Sequence, residues 1–369
     1  MIGSRARAAF AVLTTVVAIV VETSGSVGIA EAMPTPTDAV VLSSTGPSSV
    51  LARSAPHRTA RSTESSPATR DEHADSSRAI PAYRSPSSED RIVRIFSVTF
   101  RAVAGERRLI AGKIIARQPS STPDSALMAA ASVTCSPAND IPGAGATENV
   151  LRGRTSTLTP RFVYVAPRTG TVTCAALASG LRPRPVSRGY ASSNVWVVDS
   201  GSYLSVSAPL GSWARTVDTD ATSRVVEDRG SWTALSRIVR VRAGRSFQVV
   251  TDHKVTTCSS VGGSRDSSTG GREICAGHVS TRGSIARAIV TVVQLADSGQ
   301  ACSAPQVITG SRKVTPMVHH AMLAVRGVVT VDRSAACGDR FRIRSSLRHD
   351  GGAAFAVHAP SERATVLPR

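Results

Sequence analysis

The stretch Arg161-Phe162-Val163-Tyr164-Val165-Ala166-Pro167-Arg168-Thr169-Gly170-Thr171-Val172-Thr173-Cys174 sets the fold class. Two runs of β-branched and aromatic residues flank a turn that carries Pro and Gly. Such runs suit a pleated, half-buried surface, and Pro and Gly interrupt them where the chain must reverse. The unit reads as strand, turn, strand, and it ends on a cysteine. The same texture extends in both directions, in Ile92-Val93-Arg94-Ile95-Phe96-Ser97-Val98, Asn194-Val195-Trp196-Val197-Val198, Arg237-Ile238-Val239-Arg240-Val241 and Ser246-Phe247-Gln248-Val249-Val250. Several of these alternate apolar and polar residues, the period of a strand with one buried face. Gly201, Gly244, Gly310 and Gly351-Gly352 break the later runs. Only Ser125 to Val133 tempts a helical reading, and an Ala-rich strand has the same composition. Closely spaced strands separated by turns indicate β-sandwiches. Residues 91–369 are more than one sandwich needs and enough for two.

Internal similarity supports two. Cys135-Ser136 is matched by Cys302-Ser303, Val150-x-x-Gly153 by Val307-x-x-Gly310, and Thr159-Pro160 by Thr315-Pro316. Gly170-Thr171-Val172-Thr173-Cys174 closes one unit; Gly327-Val328-Val329-Thr330-Val331 and then Cys337 close the other. The order is kept with small offsets, as a duplicated domain would keep it. The fold expected is therefore all-β: two tandem, disulfide-stapled, immunoglobulin-like β-sandwiches at 91–207 and 232–369, joined by a linker at 208–231.

Six cysteines allow fifteen pairings. The repeat selects Cys135 with Cys174 and Cys302 with Cys337, which leaves Cys258 with Cys275 around a Gly/Ser-rich loop. No Cys-x-x-Cys pair and no Cys/His cluster has the spacing of a zinc site. An even set of well-spaced cysteines fits an oxidising compartment. The N-terminus agrees. Arg5 and Arg7 precede an apolar run from Ala8 to Val21, and Ala30-Glu31-Ala32 fits small-residue cleavage after Ala32. Residues 1–32 are expected to be an export signal; kept uncleaved, they would be the one route to membrane attachment. Residues 33–90 are rich in Ser, Thr and Pro without a strand or helix period, which reads as a disordered linker.

The charge of +18 is unevenly spread. Residues 1–32 balance two arginines against two glutamates, and residues 33–90 set six arginines against seven acidic residues, so the remaining body carries +19. Its only lysines are Lys113, Lys254 and Lys313. An arginine-rich body attracts polyanions, and guanidinium binds phosphate and carboxylate bidentately. Arg-rich composition is also what a GC-rich genome encodes. In Arg340-Phe341-Arg342-Ile343-Arg344, period two puts Arg340, Arg342 and Arg344 on one face. That face points outward if Phe341 and Ile343 point in. Aromatics are sparse and no recognition motif is present, which argues against specific nucleic-acid binding.

Catalytic fragments are weaker. Asp252-His253, Asp199-Ser200-Gly201 and Asp297-Ser298-Gly299 lack a Gly-x-Ser-x-Gly elbow, and Asp-Ser-Gly is ordinary turn chemistry. His319-His320 on a strand would point to opposite faces and not share an ion. Asp218, Asp220, Glu227 and Asp228 do not follow a calcium-loop spacing. Trp196 reads as core, whereas Trp213 and Trp232 flank the linker as possible platforms or packing residues. No cofactor and no metal are expected. The leading expectation is an exported, non-catalytic binding or structural protein of the bacterial cell envelope, secreted or held at the cell surface. Its partner would be an anionic cell-wall polymer, met through Arg340, Arg342 and Arg344, or another surface protein. The alternatives are a secreted hydrolase with an unrecognised Ser/His/Asp site and an inhibitor-like protein-binding module built on the Cys258–Cys275 hairpin.

Overall fold

The computed structural model describes residues 70–73, 78–83, 92–122, 125–138, 141, 143–181, 195–219, 221–258, 275, 281–334 and 336–369. The expected export signal, most of the expected linker at 33–90 and the loop at 259–274 lie outside the described residues. In chain order the first strands are β1 (Arg70–His73), β2 (Arg78–Tyr83), β3 (Val93–Ala102), β4 (Arg107–Arg117), β5 (Ala126–Ser136), β6 (Gly143–Leu151), β7 (Thr155–Leu158), β8 (Arg161–Val165), β9 (Gly170–Leu181), β10 (Val195–Val198) and β11 (Tyr203–Val206). Then come β12 (Arg215–Asp218), β13 (Arg224–Val226), β14 (Ser231–Arg240), β15 (Ser246–Thr257), β16 (Ser284–Leu295), β17 (Gln306–Val314), β18 (His320–Thr330), β19 (Arg340–Gly352), β20 (Phe355–Val357) and β21 (Arg363–Pro368). A single 3-10 turn, Ala359–Ser361, is the one helical element among the described residues. The protein is all-β.

Two hydrophobic cores organise these strands. In the first sandwich, β3, β9, β5 and β6 pair in that order as one antiparallel layer. The other layer is built on β4. Its first half pairs with β8 and β11, and its second half with β7 and β10. Strand β2 joins the layers at one edge, antiparallel to β10 and parallel to β9. Alternate residues of β4 face inward, and Ile110, Ile114 and Ala116 are fully buried. Gly112 continues this row because a Cβ there would lie 3.2 Å from Val133 and 3.3 Å from Pro160. Trp196 is completely buried and its indole N–H donates to the Ser179 carbonyl at 3.2 Å, so burial leaves no polar atom unsatisfied there.

The second sandwich is centred on β15. One edge pairs along its length with β18, the other with β21 and then β20, which β12 and β13 extend. The facing sheet runs β14-β19-β16-β17. Between the sheets Phe247 and Phe341 meet edge-to-face, 4.9 Å between centroids, a favoured aromatic geometry.

The three disulfides join Cys135 to Cys174, Cys258 to Cys275 and Cys302 to Cys337, the partners the repeat selects. Their settings differ. Cys135 and Cys174 stand opposite each other in adjacent strands β5 and β9, Cα atoms 4.0 Å apart. Cys302 and Cys337 instead tie together the segments that lead into β17 and β19.

Several stretches depart from expectation. Residues 70–73 and 78–83, read as disordered linker, are strands: β1 adds to β11, and Ile80 of β2 is fully buried. Strands of four and six residues, one of them fully polar and the other interrupted by Pro81, carry little period-two signal, and backbone pairing to β11, β10 and β9 defines them. Within 208–231, read as a linker, β12 and β13 extend the second sandwich and Val226 is buried. Trp213 and Trp232, read as platforms or packing residues, are half-buried against the second core, the packing alternative; the Trp213 ring meets Phe247 edge-on at 6.4 Å.

The two sandwiches touch through polar contacts. Arg161 of β8 forms a two-pronged pair with Asp252 of β15, at 2.6 and 3.1 Å. Arg312 of β17 pairs with Glu148 of β6, which is 5% exposed, and also donates to the Met322 carbonyl. The His320 N–H donates to Asn149 Oδ1 at 2.6 Å. A small apolar cluster of Val163, Ala214 and Leu367 seals the same junction.

Candidate functional site

The outer face of the β14-β19-β16-β17 sheet carries the residues singled out from sequence. Phe341, Ile343 and Leu347 of β19 are buried, so period two turns Arg340, Arg342 and Arg344 outward. Arg342 and Arg344 are exposed and Arg340 is half-buried. Cross-strand register sets their neighbours. Arg342 stands between Ile238 of β14 and Val293 of β16, and Arg344 between Ser236 and Thr291. Arg344 donates twice to Thr233 Oγ1, at 3.0 and 2.8 Å, and Arg340 weakly to the Asp297 carbonyl at 3.4 Å. These acceptors are neutral, and among the described residues none of the three arginines pairs with a carboxylate. Farther along the strand, Asp350 lies 2.7 Å from Arg348 and 2.5 Å from Arg287. The Arg348 hydrogen bond, with Arg287 beside it, holds the Asp350 carboxyl below its usual range. At the other end Asp339, next to Arg340, pairs with Arg240 and Arg242 at 4.0 and 3.4 Å, so the stretch from Arg340 to Arg344 lies between two neutralised ends.

A second arrangement was invisible in the sequence. Inside the second sandwich, His253 Nδ1 contacts Glu362, while Ser345 Oγ and Thr251 Oγ1 reach Nε2 at 3.0 and 3.1 Å. Serine, imidazole and carboxylate in this order are the constellation of a nucleophilic hydrolase. All of these side chains are essentially unexposed, with Glu362 at 1% and the others at 0%. Burial raises the Glu362 pKa and the neighbouring His253 opposes that rise. No substrate carbonyl reaches Ser345 while the sheets stay packed, so the network acts as a core polar lock. The Asp252-His253 fragment is divided by strand geometry: Asp252 points to Arg161, and His253 points into the core.

A third cluster lies where β18 begins. Thr256 Oγ1 is 2.7 Å from both His320 Nδ1 and His358 Nε2. Its single hydrogen serves one ring, and its oxygen accepts an N–H from the other. Burial and Lys254 push the His319 pKa down to about 4. Burial, then His319, Lys254 and His358, hold His320 well below its usual value. The His319 and His320 rings lie 4.2 Å apart, not on opposite faces as a regular strand would place them, because β18 starts only at His320. Among the described residues no group of three His, Cys, Asp or Glu is arranged to hold a metal.

The remaining acidic candidates diverge. Asp218 pairs with Arg363 at 2.9 Å, Asp228 lies 3.6 Å from His349, and Asp220 is outside the described residues. The crevice at the junction, lined by Pro160, Arg161, Asp252, Met322 and Arg363, encloses about 10 Å³, room for one water.

No family model matches the sequence, and no curated protein does. Among solved structures the chain is similar to the tandem CBM22-1-CBM22-2 domains of Paenibacillus barcinonensis Xyn10C, at 8% identity over 73% of this chain and 82% of that one, TM-score 0.22. It is also similar to the T13 viral particle of IBDV, at 9% identity over 77% and 75%, TM-score 0.24. A Gx strain structure of infectious bursal disease virus gives 9% identity over 81% and 76%, TM-score 0.24. With scores of this size the fold rests on the sheets described above.

Proposed function

We propose that this chain is an exported, non-catalytic binding protein of the bacterial cell envelope, which contacts an anionic polymer through Arg340, Arg342 and Arg344. The observation that carries the reading is the outward row of three arginines on β19, unpaired with any carboxylate among the described residues and turned outward by buried Phe341 and Ile343. Three disulfides fit an oxidising compartment. In this reading residues 1–32 direct export, the Ser/Thr/Pro-rich segment that follows carries a tether toward the surface, and the two sandwich domains take in β1–β11 and β12–β21. The test is a pull-down of the full chain on purified cell wall at low and high salt. Binding that weakens as salt rises supports the reading; absence of binding at every salt concentration overturns it.

A further inference from the structure

The spacing of the arginine row selects among anionic polymers. Alternate residues of a strand are separated by about 7 Å, so Arg340, Arg342 and Arg344 rise from β19 at that interval, the Arg344 head leaning to Thr233 of β14 and the Arg340 head to the Asp297 carbonyl after β16. Ser346 takes the next outward place, and beyond it Arg348 is tied to Asp350. The open track is therefore three cations long. Its walls are aliphatic and hydroxylic: Ile238 and Val293 flank Arg342, Ser236 and Thr291 flank Arg344. No aromatic side chain stands on this face of β14, β19, β16 or β17. Bases and sugar rings thus find nothing to stack on.

We infer that the track binds a linear polyol phosphate, a chain of phosphodiesters joined by short, flexible, uncharged spacers, lying along β19 with successive phosphates on Arg340, Arg342 and Arg344. This rests on the polymer-binding reading above and narrows it to one chemistry. A P–O–C–C–C–O–P repeat has six single bonds of roughly 1.5 Å and reaches about 7 Å when extended, matching the arginine interval. Guanidinium takes a phosphate through two parallel N–H···O bonds. Phe341 and Ile343 anchor the strand from below and fix the interval of the Arg stems, while the Arg340 and Arg344 heads exchange their bonds to the Asp297 carbonyl and Thr233 for phosphate. A polyuronate carries carboxylates on stiff rings and gains nothing from this spacing.

The experiment is fluorescence titration of the full chain with a synthetic poly(glycerol phosphate) dodecamer, from low to physiological salt. Polygalacturonate and a thymidine dodecamer serve as comparators. Three phosphates neutralised on a flexible chain give a log K against log salt slope of about −2. Arg342→Gln should weaken binding roughly tenfold and flatten the slope by about 0.7. Arg168→Gln, outside this sheet, should change neither. A normal thermal melt of Arg342→Gln confirms folding. Three results overturn the inference. Polygalacturonate of equal charge binding as tightly removes the phosphodiester preference and leaves the polymer-binding reading standing. The thymidine dodecamer binding more tightly makes the partner a nucleic acid. Arg342→Gln binding like the wild type moves the site elsewhere. If no polyanion binds at any salt concentration, the underlying reading fails as well.

Discussion

Acid should loosen this protein at one identifiable place, the histidine layer where the sandwiches meet. His319 is 5% exposed and its pKa falls to about 4 through burial and then Lys254. Above pH 6.5 the ring is neutral in both folded and unfolded chains and contributes no pH dependence. Below 6.5 the unfolded chain takes up a proton that the folded chain refuses, so stability falls as pH falls, and the loss is complete near pH 4. A shift from 6.5 to about 4 corresponds to about 3 kcal/mol. His320, held low by burial, His319, Lys254 and His358, acts in the same direction. Glu362 acts oppositely: its folded pKa is raised, so it gains stability as pH falls through that value. Asp350, whose pKa is lowered, loses its contribution only below the ordinary carboxylate range. The perturbation that isolates His319 is therefore His319→Gln, compared with wild type in urea at pH 7.5 and pH 4, disulfides intact, followed by tryptophan fluorescence. The wild type should lose about 3 kcal/mol more than the variant over this interval. Unfolding midpoints that fall in parallel for both proteins would refute the reasoning, because they would place the acid sensitivity outside His319.

Three other outcomes follow from the geometry. Removing Cys135 and Cys174 together, which close a separation of 39 residues, should cost about 4 kcal/mol, against about 3 kcal/mol for Cys258 and Cys275 with a separation of 17; urea midpoints in the reverse order would contradict the chain-entropy account. Gly352 and Gly105 both have positive φ, +87° and +78°, but a Cβ at Gly352 runs into the Gly283 carbonyl whereas one at Gly105 meets nothing within 4 Å. Gly105→Ala should therefore cost only about 1–2 kcal/mol of backbone strain and Gly352→Ala clearly more, and equal melting temperatures would show the β16–β19 approach to be looser than described. Ser345→Ala should cost about 1 kcal/mol, since Thr251 still reaches His253 Nε2, whereas His253→Leu leaves Glu362 buried alone and should cost on the order of 3–5 kcal/mol. Chemical denaturation that ranks them the other way would overturn the polar-lock reading.

What the sequence showed and what it hid divide along one physical line. Period two is a local property, so the inward Phe341 and Ile343 and the outward arginines of β19 were legible from five residues. The core position of Trp196 was legible in the same way. Properties that depend on which strands meet were not. His253 lies 92 residues from Ser345 and 109 from Glu362, and no spacing rule joins them before the sheets pack. Strands β1, β2, β12 and β13 are only three to six residues long, so partners define them more than their own pattern does. The repeat yielded the same cysteine partners as the fold, yet Cys135 sits within a strand and Cys302 outside one. Similarity of sequence order therefore does not amount to similarity of setting.

The contrast between the two polar arrangements in the second sandwich bears on how such a surface can be read. Ser345, His253 and Glu362 have the chemistry of a nucleophile and its base, but every atom that would act is enclosed. The arginine row has no catalytic chemistry, but it is open, and among the described residues it pairs with no carboxylate. Access decides between them, because a group that cannot meet a partner acts only on its own fold. The same strand, β19, supplies both: Ser345 faces inward to the imidazole, and Arg344 and Arg342 face outward on either side of the inward residues. The buried network fixes the position of β19 against β15 and β21. That fixed position sets the interval at which the outer arginine stems leave the strand, and a fixed interval is what a surface needs to favour one polymer repeat over another.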